Sequence, residues 1–312
     1  MAADSENMPY HIPALLPQTL EALDIKPDGI YVDVTFGGGG HSRAIIEKLS
    51  PKGHLYSFDQ DPEAIANAFS DSRFTIVHSN FKYLTNFMVY HDVEGVDGLL
   101  ADLGVSFHHF DDAKRGFSFR WEDGPLDMRM NPKSELTAEQ VLAESDEEEL
   151  AKIFKFYGEL KNGSAIARAI VRAREDGMPI KTVSQLSAIV EPLINASREK
   201  KDLACIYQAL RIKVNNELDV LKQLLTSAAK VIKPGGRIAI ITYHSLEDRL
   251  VKNFFKTGNL EGNVEADIFG KTSSPFRPLS SKPIVPDNEE VERNPRSRSA
   301  KLRVAVRQED DK

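Results

Sequence analysis

The run Ile30-Tyr31-Val32-Asp33-Val34-Thr35-Phe36, followed by Gly37-Gly38-Gly39-Gly40 and then His41-Ser42, constrains this chain more than any other feature. Its apolar residues read as a buried strand, and the glycines as a backbone-only turn that feeds a helix. Glycine takes positive φ at little steric cost and admits a ligand close to the peptide plane, while the first turn of a helix offers unpaired N–H groups. The segment therefore reads as a cradle for a nucleotide or cofactor. The dinucleotide fingerprint wants a third glycine three residues after the second; counting from Gly37 and Gly39, that place holds Ser42, which disfavours NAD. An acidic residue followed by alternating small residues, here Asp33, Thr35, Gly37 and Gly39, fits S-adenosyl-L-methionine better. The next strand, His54-Leu55-Tyr56-Ser57-Phe58, ends in Asp59 with Gln60-Asp61-Pro62 behind it. A carboxylate at that strand end can accept both hydroxyls of an adenosyl ribose.

Strands and helices alternate from there, as a doubly wound α/β sheet requires. Phe74-Thr75-Ile76-Val77 and Val96-Asp97-Gly98-Leu99-Leu100-Ala101 are the third and fourth strands, the latter running into Asp102-Leu103-Gly104-Val105. Then the rhythm changes. Residues 107–133 are rich in glycine, aromatics and charge, and helices are expected at 151–157, at 164–175 with Ser164 as N-cap, at 182–194 and from Asp202 onward. Leu186, Ile189, Val190, Leu193 and Ile194 form a helical stripe that reads as core. The α/β pattern resumes with Leu218, Leu221, Leu225, Ala228 and Ile232 on one helix face, a Pro234-Gly235-Gly236 turn and the strand Arg237-Ile238-Ala239-Ile240-Ile241. Final strands are expected near 283–285 and 301–306, with the Ser- and Pro-rich residues 272–286 an exposed loop. The expected organisation is a Rossmann-like α/β domain of residues 1–105 and 216–312, interrupted by a mainly helical substrate-recognition subdomain of residues 106–215.

Composition narrows the class. No apolar run approaches the roughly 20 residues of a membrane span, and residues 1–7 lack the features of a signal peptide. The single Cys205 excludes an internal disulfide and a cysteine-rich zinc site, the histidines show no metal-ligand spacing apart from the adjacent His108 and His109, which read as a polar loop, and a reducing cytoplasm is the expected compartment. The formal charge of −7 argues against loose nucleic-acid binding, yet the charges are segregated. Arg293, Arg296, Arg298, Lys301, Arg303 and Arg307 share a stretch without an acidic residue, and Lys114, Arg115, Arg120 and Arg129 interleave with Phe117, Phe119 and Trp121. Such sets suit phosphate contacts with base stacking nearby, although packed aromatics and solvated arginines give the same pattern.

The chain resembles the RsmH (MraW) family of bacterial small-subunit ribosomal RNA cytosine methyltransferases. The likeness lies in Tyr10-His11-Ile12-Pro13 with Leu15-Leu16, the glycine segment 35–42, Asp59-Gln60-Asp61-Pro62, the segment 102–106, Arg115-Gly116-Phe117-Ser118-Phe119, the segment 124–130, Tyr157-Gly158-Glu159, the segment 208–212, His244-Ser245-Leu246-Glu247-Asp248-Arg249 and Asn294-Pro295-Arg296-Ser297-Arg298-Ser299. These blocks run in family order over nearly the whole chain. The resemblance implies methylation of the exocyclic N4 of a cytidine in the decoding region, with the small ribosomal subunit as partner and S-adenosyl-L-methionine as cofactor. The implied cofactor contacts fall on Gly39, Gly40, His41, Asp59, Phe81 and Asp102. His109 stands where the family has a further glutamine contact; Gln18, where an acidic residue is usual, and Leu160 are other departures.

Chemistry adds its own constraint. The lone pair of an exocyclic cytosine amine is delocalised into the ring, so the amine must be held in line with the methyl and its hydrogens directed to acceptors. Many amino-methyltransferases do this with an Asp/Asn/Ser-Pro-Pro-aromatic sequence after the fourth strand; Asp102-Leu103-Gly104-Val105 occupies that place, which makes Asp102 the candidate acceptor, a cofactor or capping contact being the alternative. The flipped base could stack on Phe107, Phe117, Phe119 or Trp121. RNA-binding candidates are Arg115, Phe117, Phe119, Trp121, Arg129, His244, Arg296 and Arg298; His244 is expected at the carboxyl edge of the sheet, touching RNA or ordering its loop. A small-molecule or protein methyltransferase and a noncatalytic RNA-binding protein are the competing classes. The sequence leaves the oligomeric state open, a homodimer included.

Overall fold

The computed structural model describes residues 12–104, 110–264 and 274–309. The chain divides into two compact units, Met1–Gly104 with Val220–Lys312, and Val105–Asp219. In the first unit, β1 (Ile30–Asp33), β2 (His54–Asp59), β3 (Phe74–His78), β4 (Val96–Asp102), β5 (Ile232–Thr242), β6 (Phe276–Pro278) and β7 (Lys301–Arg307) form one sheet in the order β3-β2-β1-β4-β5-β7-β6. β1 to β5 are parallel, and β7 lies antiparallel between β5 and β6. The fold is Rossmann-like α/β.

Strand periodicity explains why both faces are covered. Val32, Leu99, Ala101, Ile238 and Ile240 point to one side, where they meet Leu84 and Met88, Leu221, Leu225 and Ala228, and Val251, Phe254 and Phe255. Tyr31, Leu100, Ala239 and Ile241 point to the other, toward Leu15, Leu23, Ile45 and Ile46. The chain leaves β1 toward β2 and β3 on one side and returns through β4 to β5 on the other. This reversal between β1 and β4 opens a crevice at the carboxyl ends of the strands.

Three expectations for this unit need correction. Ile232, expected on the face of the preceding helix, opens β5 and pairs with Val96, that helix ending at Val231. The Pro234-Gly235-Gly236 turn does not precede the fifth strand but lies within it: pairing jumps from Val96↔Ile232 to Gly98↔Arg237, and Gly235 takes φ 80° in the bulge. The sixth strand is Phe276–Pro278, within the segment read as an exposed loop, because Phe276 is buried against Phe254 and Phe255. Residues 283–285 supply only an isolated bridge, Ile284↔Leu302.

The second unit has its own core, built from Leu142, Leu150, Phe154, Ile166, Ile170, Leu186, Ile206 and Leu210 among others. Its helices start on local signals. Thr137 with Gln140 and Thr182 with Gln185 form capping boxes for Ala138–Glu144 and Val183–Val190, and Asp146 caps Glu147–Lys152. That last helix starts before the expected position 151 and passes into a wide turn, Ile153–Tyr157. Gly163–Glu175 begins before Ser164, which therefore is not its cap. The helix expected to reach Ile194 stops at Val190 because Pro192 lacks the N–H to continue it. The long helix Glu199–Asn215 closes the unit: Asn215 accepts from Met130 N at 2.7 Å and donates to Met128 O at 2.8 Å. No helix among the described residues is long and apolar enough to cross a membrane.

Candidate functional site

The first unit brings four conspicuous groups to the carboxyl ends of β1, β2, β4 and β5: Asp33, Asp59, Asp102 and Tyr243. After β1 the chain turns through Gly37 (φ 52°) and Gly39 (φ 77°) into the helix Gly40–Ile46. Both φ values lie in the left-handed region that favours glycine. A Cβ on Gly37 would meet nothing within 4 Å, so the loop turns an open backbone face outward.

Asp33 organises the loop from inside. It is buried, accepts from Ser42 Oγ at 2.6 Å and from Thr35 N at 3.1 Å, and Ser42 Oγ is in turn 2.8 Å from Ser57 Oγ. Burial pushes its carboxyl above the ordinary range, against the opposing pull of the Ser42 hydrogen bond and of His41. His41 is buried as well, and desolvation holds its ring below the usual histidine value, so it is neutral at neutral pH. Its Nε2 lies 3.1 Å from the carbonyl of Ala14, which requires the proton on Nε2. Nδ1 then presents a lone pair, 3.8 Å from Asp102 Oδ2.

Asp59 ends β2 and spans two backbone groups: Oδ2 accepts from Gly37 N and Oδ1 from Asp61 N, each at 2.9 Å. The carboxylate is thus fixed against the glycine loop. Gln60 accepts from Asn80 Nδ2 at 2.8 Å, which ties this strand end to the short turn Phe81–Tyr83. Asp102 ends β4, its N–H donating to Thr35 Oγ1 at 2.7 Å. Tyr243 lies beside Asp102, and burial together with this neighbouring charge raises its pKa well above the ordinary phenol value. Its ring abuts Gly104, where a Cβ would come within 2.8 Å of Cε2. Sequence reading misses Tyr243 as a site residue; a polar aromatic directly after a buried strand was the available signal.

Of the expected cofactor residues, Gly39, Gly40, His41, Asp59, Phe81 and Asp102 all belong to this unit, whereas His109 lies outside the described residues, as does Phe107, a candidate for stacking on the base. The expected RNA residues separate. In the second unit Arg115 is buried and donates to the carbonyls of Arg129 and Met130 at 3.0 and 3.1 Å. Arg129 grips Asp127 at 2.9 and 2.6 Å and Ser134 O at 2.7 Å. Phe117 is buried, and Phe119 meets Tyr207 edge-on at 5.8 Å. Trp121 alone of these aromatics is exposed, its indole donating to Phe110 O at 3.1 Å. Lys114 and Arg120 are exposed too.

In the first unit His244 follows β5 and is largely buried, with Nε2 3.1 Å from Glu247 Oε1 but off the line a hydrogen bond needs. Glu247 also accepts from the backbone N–H of Tyr243 at 2.9 Å, so this pair orders the strand–helix turn. Arg296 and Arg298 are exposed on the short turn Pro295–Ser299. Arg303, from the same basic stretch, is instead paired with Asp248 at 2.6 Å.

A Rossmann-like sheet with a glycine turn after β1 and carboxylates ending β1, β2 and β4 defines a methyltransferase. The chain belongs to the MraW methylase family, whose profile matches residues 8–308. It is 56% identical over 302 residues to a protein of Bacteroides thetaiotaomicron named ribosomal RNA small subunit methyltransferase H, covering 97% of this chain and 99% of the relative. A protein of Phocaeicola vulgatus with the same name is 58% identical over 296 residues, covering 95% of this chain and 97% of the relative. Among solved structures, an rRNA methylase from Streptococcus thermophilus aligns with a TM-score of 0.39 at 11% identity, over 98% of this chain and 100% of that one. The cofactor is S-adenosyl-L-methionine, and the cradle fits it: an open glycine backbone face and a fixed carboxylate at the β2 end suit an adenosyl ribose.

Proposed function

We propose that this methylase modifies the exocyclic N4 amine of a cytidine in the decoding region of small-subunit ribosomal RNA, with the small ribosomal subunit as its partner and the cytoplasm as its compartment. The observation that carries the reading is Asp102: a carboxylate at the end of the fourth strand, beside the switch point, its backbone N–H held by Thr35, with Tyr243 next to it. The names of the relatives support the RNA, and the acceptor chemistry supports an amine over a carbon target.

In this reading Asp59 would accept the ribose hydroxyls of the donor, and Gly39, Gly40, His41 and Phe81 would complete its contacts. When bound, S-adenosyl-L-methionine supplies an electrophilic methyl group. Asp102 accepts a hydrogen from the cytosine amine, which orients the nitrogen lone pair and stabilises the positive charge developing there. Tyr243, beside Asp102, offers a hydroxyl that restrains the carboxylate once it turns to donate, while leaving it charged. No general base is needed, since the methylated amine loses its proton to water. The second unit, spanning the region of expected residues 106–215, serves substrate recognition through its exposed Lys114, Arg120 and Trp121, and in the first unit Arg296 and Arg298 bear on phosphates.

Tritiated methyl transfer from S-adenosyl-L-methionine to undermethylated small subunits, followed by nucleoside mapping, tests the proposal. Label in N4-methylcytidine within the decoding region is expected. Label on a ring carbon, on another base or on protein would overturn it, as would donor binding without transfer.

A further inference from the structure

The block Asn294 to Ser299 and the chain just before it do more than display arginines. Glu290, buried in the helix Asn288–Arg293, accepts from the backbone N–H of Leu15 at 2.6 Å across 275 residues of sequence. Asn294, also buried, donates from Nδ2 to the carbonyl of Ile12 at 3.1 Å. Ser297 closes the turn behind it, its hydroxyl donating to Asn294 O at 2.8 Å. Residues 12–15 are thereby held at both ends. Leu15 takes φ 53°, a left-handed conformation costly for a leucine, so the pins hold a backbone that would otherwise relax.

Between the pins lie Pro13 and Ala14, and both touch the cradle. A Cβ on Gly40 would come within 2.6 Å of Pro13 Cγ, so the proline sits directly on the first residue of the helix Gly40–Ile46. The carbonyl of Ala14 fixes the His41 ring through Nε2, and the other ring nitrogen faces Asp102. One chain of contacts, all within the first unit, thus runs from Glu290 and Asn294 through residues 12–15 to His41.

We propose that Glu290 and Asn294 are positioning residues for the cofactor cradle: they pin residues 12–15, which in turn set the His41 ring and the start of the helix Gly40–Ile46. The inference rests on the reading of this cradle as the donor site. It gives the buried half of the Asn294-Pro-Arg-Ser block a task separate from its exposed arginines.

The test uses the full chain and two readouts: calorimetric affinity for S-adenosyl-L-methionine, and hydrogen exchange of the Leu15 amide without it. Glu290→Ala and Asn294→Ala should each speed exchange at Leu15 and weaken donor binding about three- to tenfold, with affinity for small subunits unchanged. Glu290→Gln keeps an acceptor oxygen for Leu15 and should stay within about twofold of the parent. Asn294→Ala, which removes a single amide, serves if Glu290→Ala fails to fold. Faster exchange with unaltered donor affinity would overturn the proposal, as would equal losses for Glu290→Ala and Glu290→Gln. Asp59→Ala run in parallel separates the two levels. If it too binds the donor normally, the cradle reading fails; if it binds weakly while Asn294→Ala and Glu290→Ala bind normally, only the positioning role fails.

Discussion

The two units draw on the same residue types and use them in opposite ways. In the sheet unit, Asp33, Asp59 and Asp102 end neighbouring parallel strands; the Asp59 carboxylate is fixed by two backbone N–H groups and the Asp102 backbone by Thr35, at the edge of an open glycine turn. In the helical unit, Asp127, Arg129 and Arg115 spend their charge on one another or on carbonyls of their own segment. A charged side chain whose partners lie within its own loop is stabilising that loop, whereas one brought to a strand end beside an open glycine turn is placed to meet a ligand. The contrast yields a graded set of expectations.

The largest effect belongs to Asp102. Asp102→Asn keeps the shape but replaces an acceptor oxygen with a donor, so single-turnover methylation at saturating donor and subunit should fall about a hundredfold or more, on the order of 3 kcal/mol of transition-state stabilisation. Donor affinity should change less than the rate. A normal rate with weakened donor binding would make Asp102 a cofactor ligand only.

Arg115 should behave in the opposite manner. Arg115→Ala strands two carbonyls that its guanidinium now satisfies, so thermal or urea unfolding should report a loss of about 2 to 3 kcal/mol, with the salt dependence of subunit binding intact. Should the slope drop instead, Arg115 would be a phosphate ligand and the contrast would break. For the exposed pair, neutralising Arg296 and Arg298 should flatten that log–log salt slope by up to about two units without altering donor affinity.

How far each region can be read in advance follows from where its partners sit. Asp59 and Asp102 are legible because each terminates an apolar run of strand period, Asp33 because it opens the alternating pattern with Thr35, Gly37 and Gly39, and the strand order of a doubly wound sheet converges those ends. The Asp127-x-Arg129 pair was legible in principle, being two residues apart, yet a basic and aromatic composition suggests RNA more readily than an internal clasp. Glu290 was not legible: its partner Leu15 is 275 residues distant, and only the assembled sheet unit makes them neighbours. The strand at Phe276 was hidden for a similar reason, its burial depending on Phe254 and Phe255 rather than on its Ser- and Pro-rich surroundings.

The smallest expected effect concerns Asp33. Its folded pKa is raised by burial, so as pH climbs the unfolded chain loses this proton before the folded chain does. Stability is therefore full below the ordinary carboxylate range and declines as pH rises toward the folded value. Asp33→Asn should then stabilise the donor-free protein against unfolding at pH near 8, with the gain shrinking as pH approaches roughly 4. An equal change at both pH values would mean that Ser42 and Thr35 already offset the buried charge.

The claim that the sheet unit's strand ends form the donor site is tested most directly by calorimetric titration of Asp59→Ala with S-adenosyl-L-methionine. Because Asp59 is held ready to receive the ribose hydroxyls by charge-assisted hydrogen bonds, its loss should weaken binding by roughly 1.5 to 3 kcal/mol, tenfold or more in Kd. A Kd equal to that of the parent would contradict the account at its foundation.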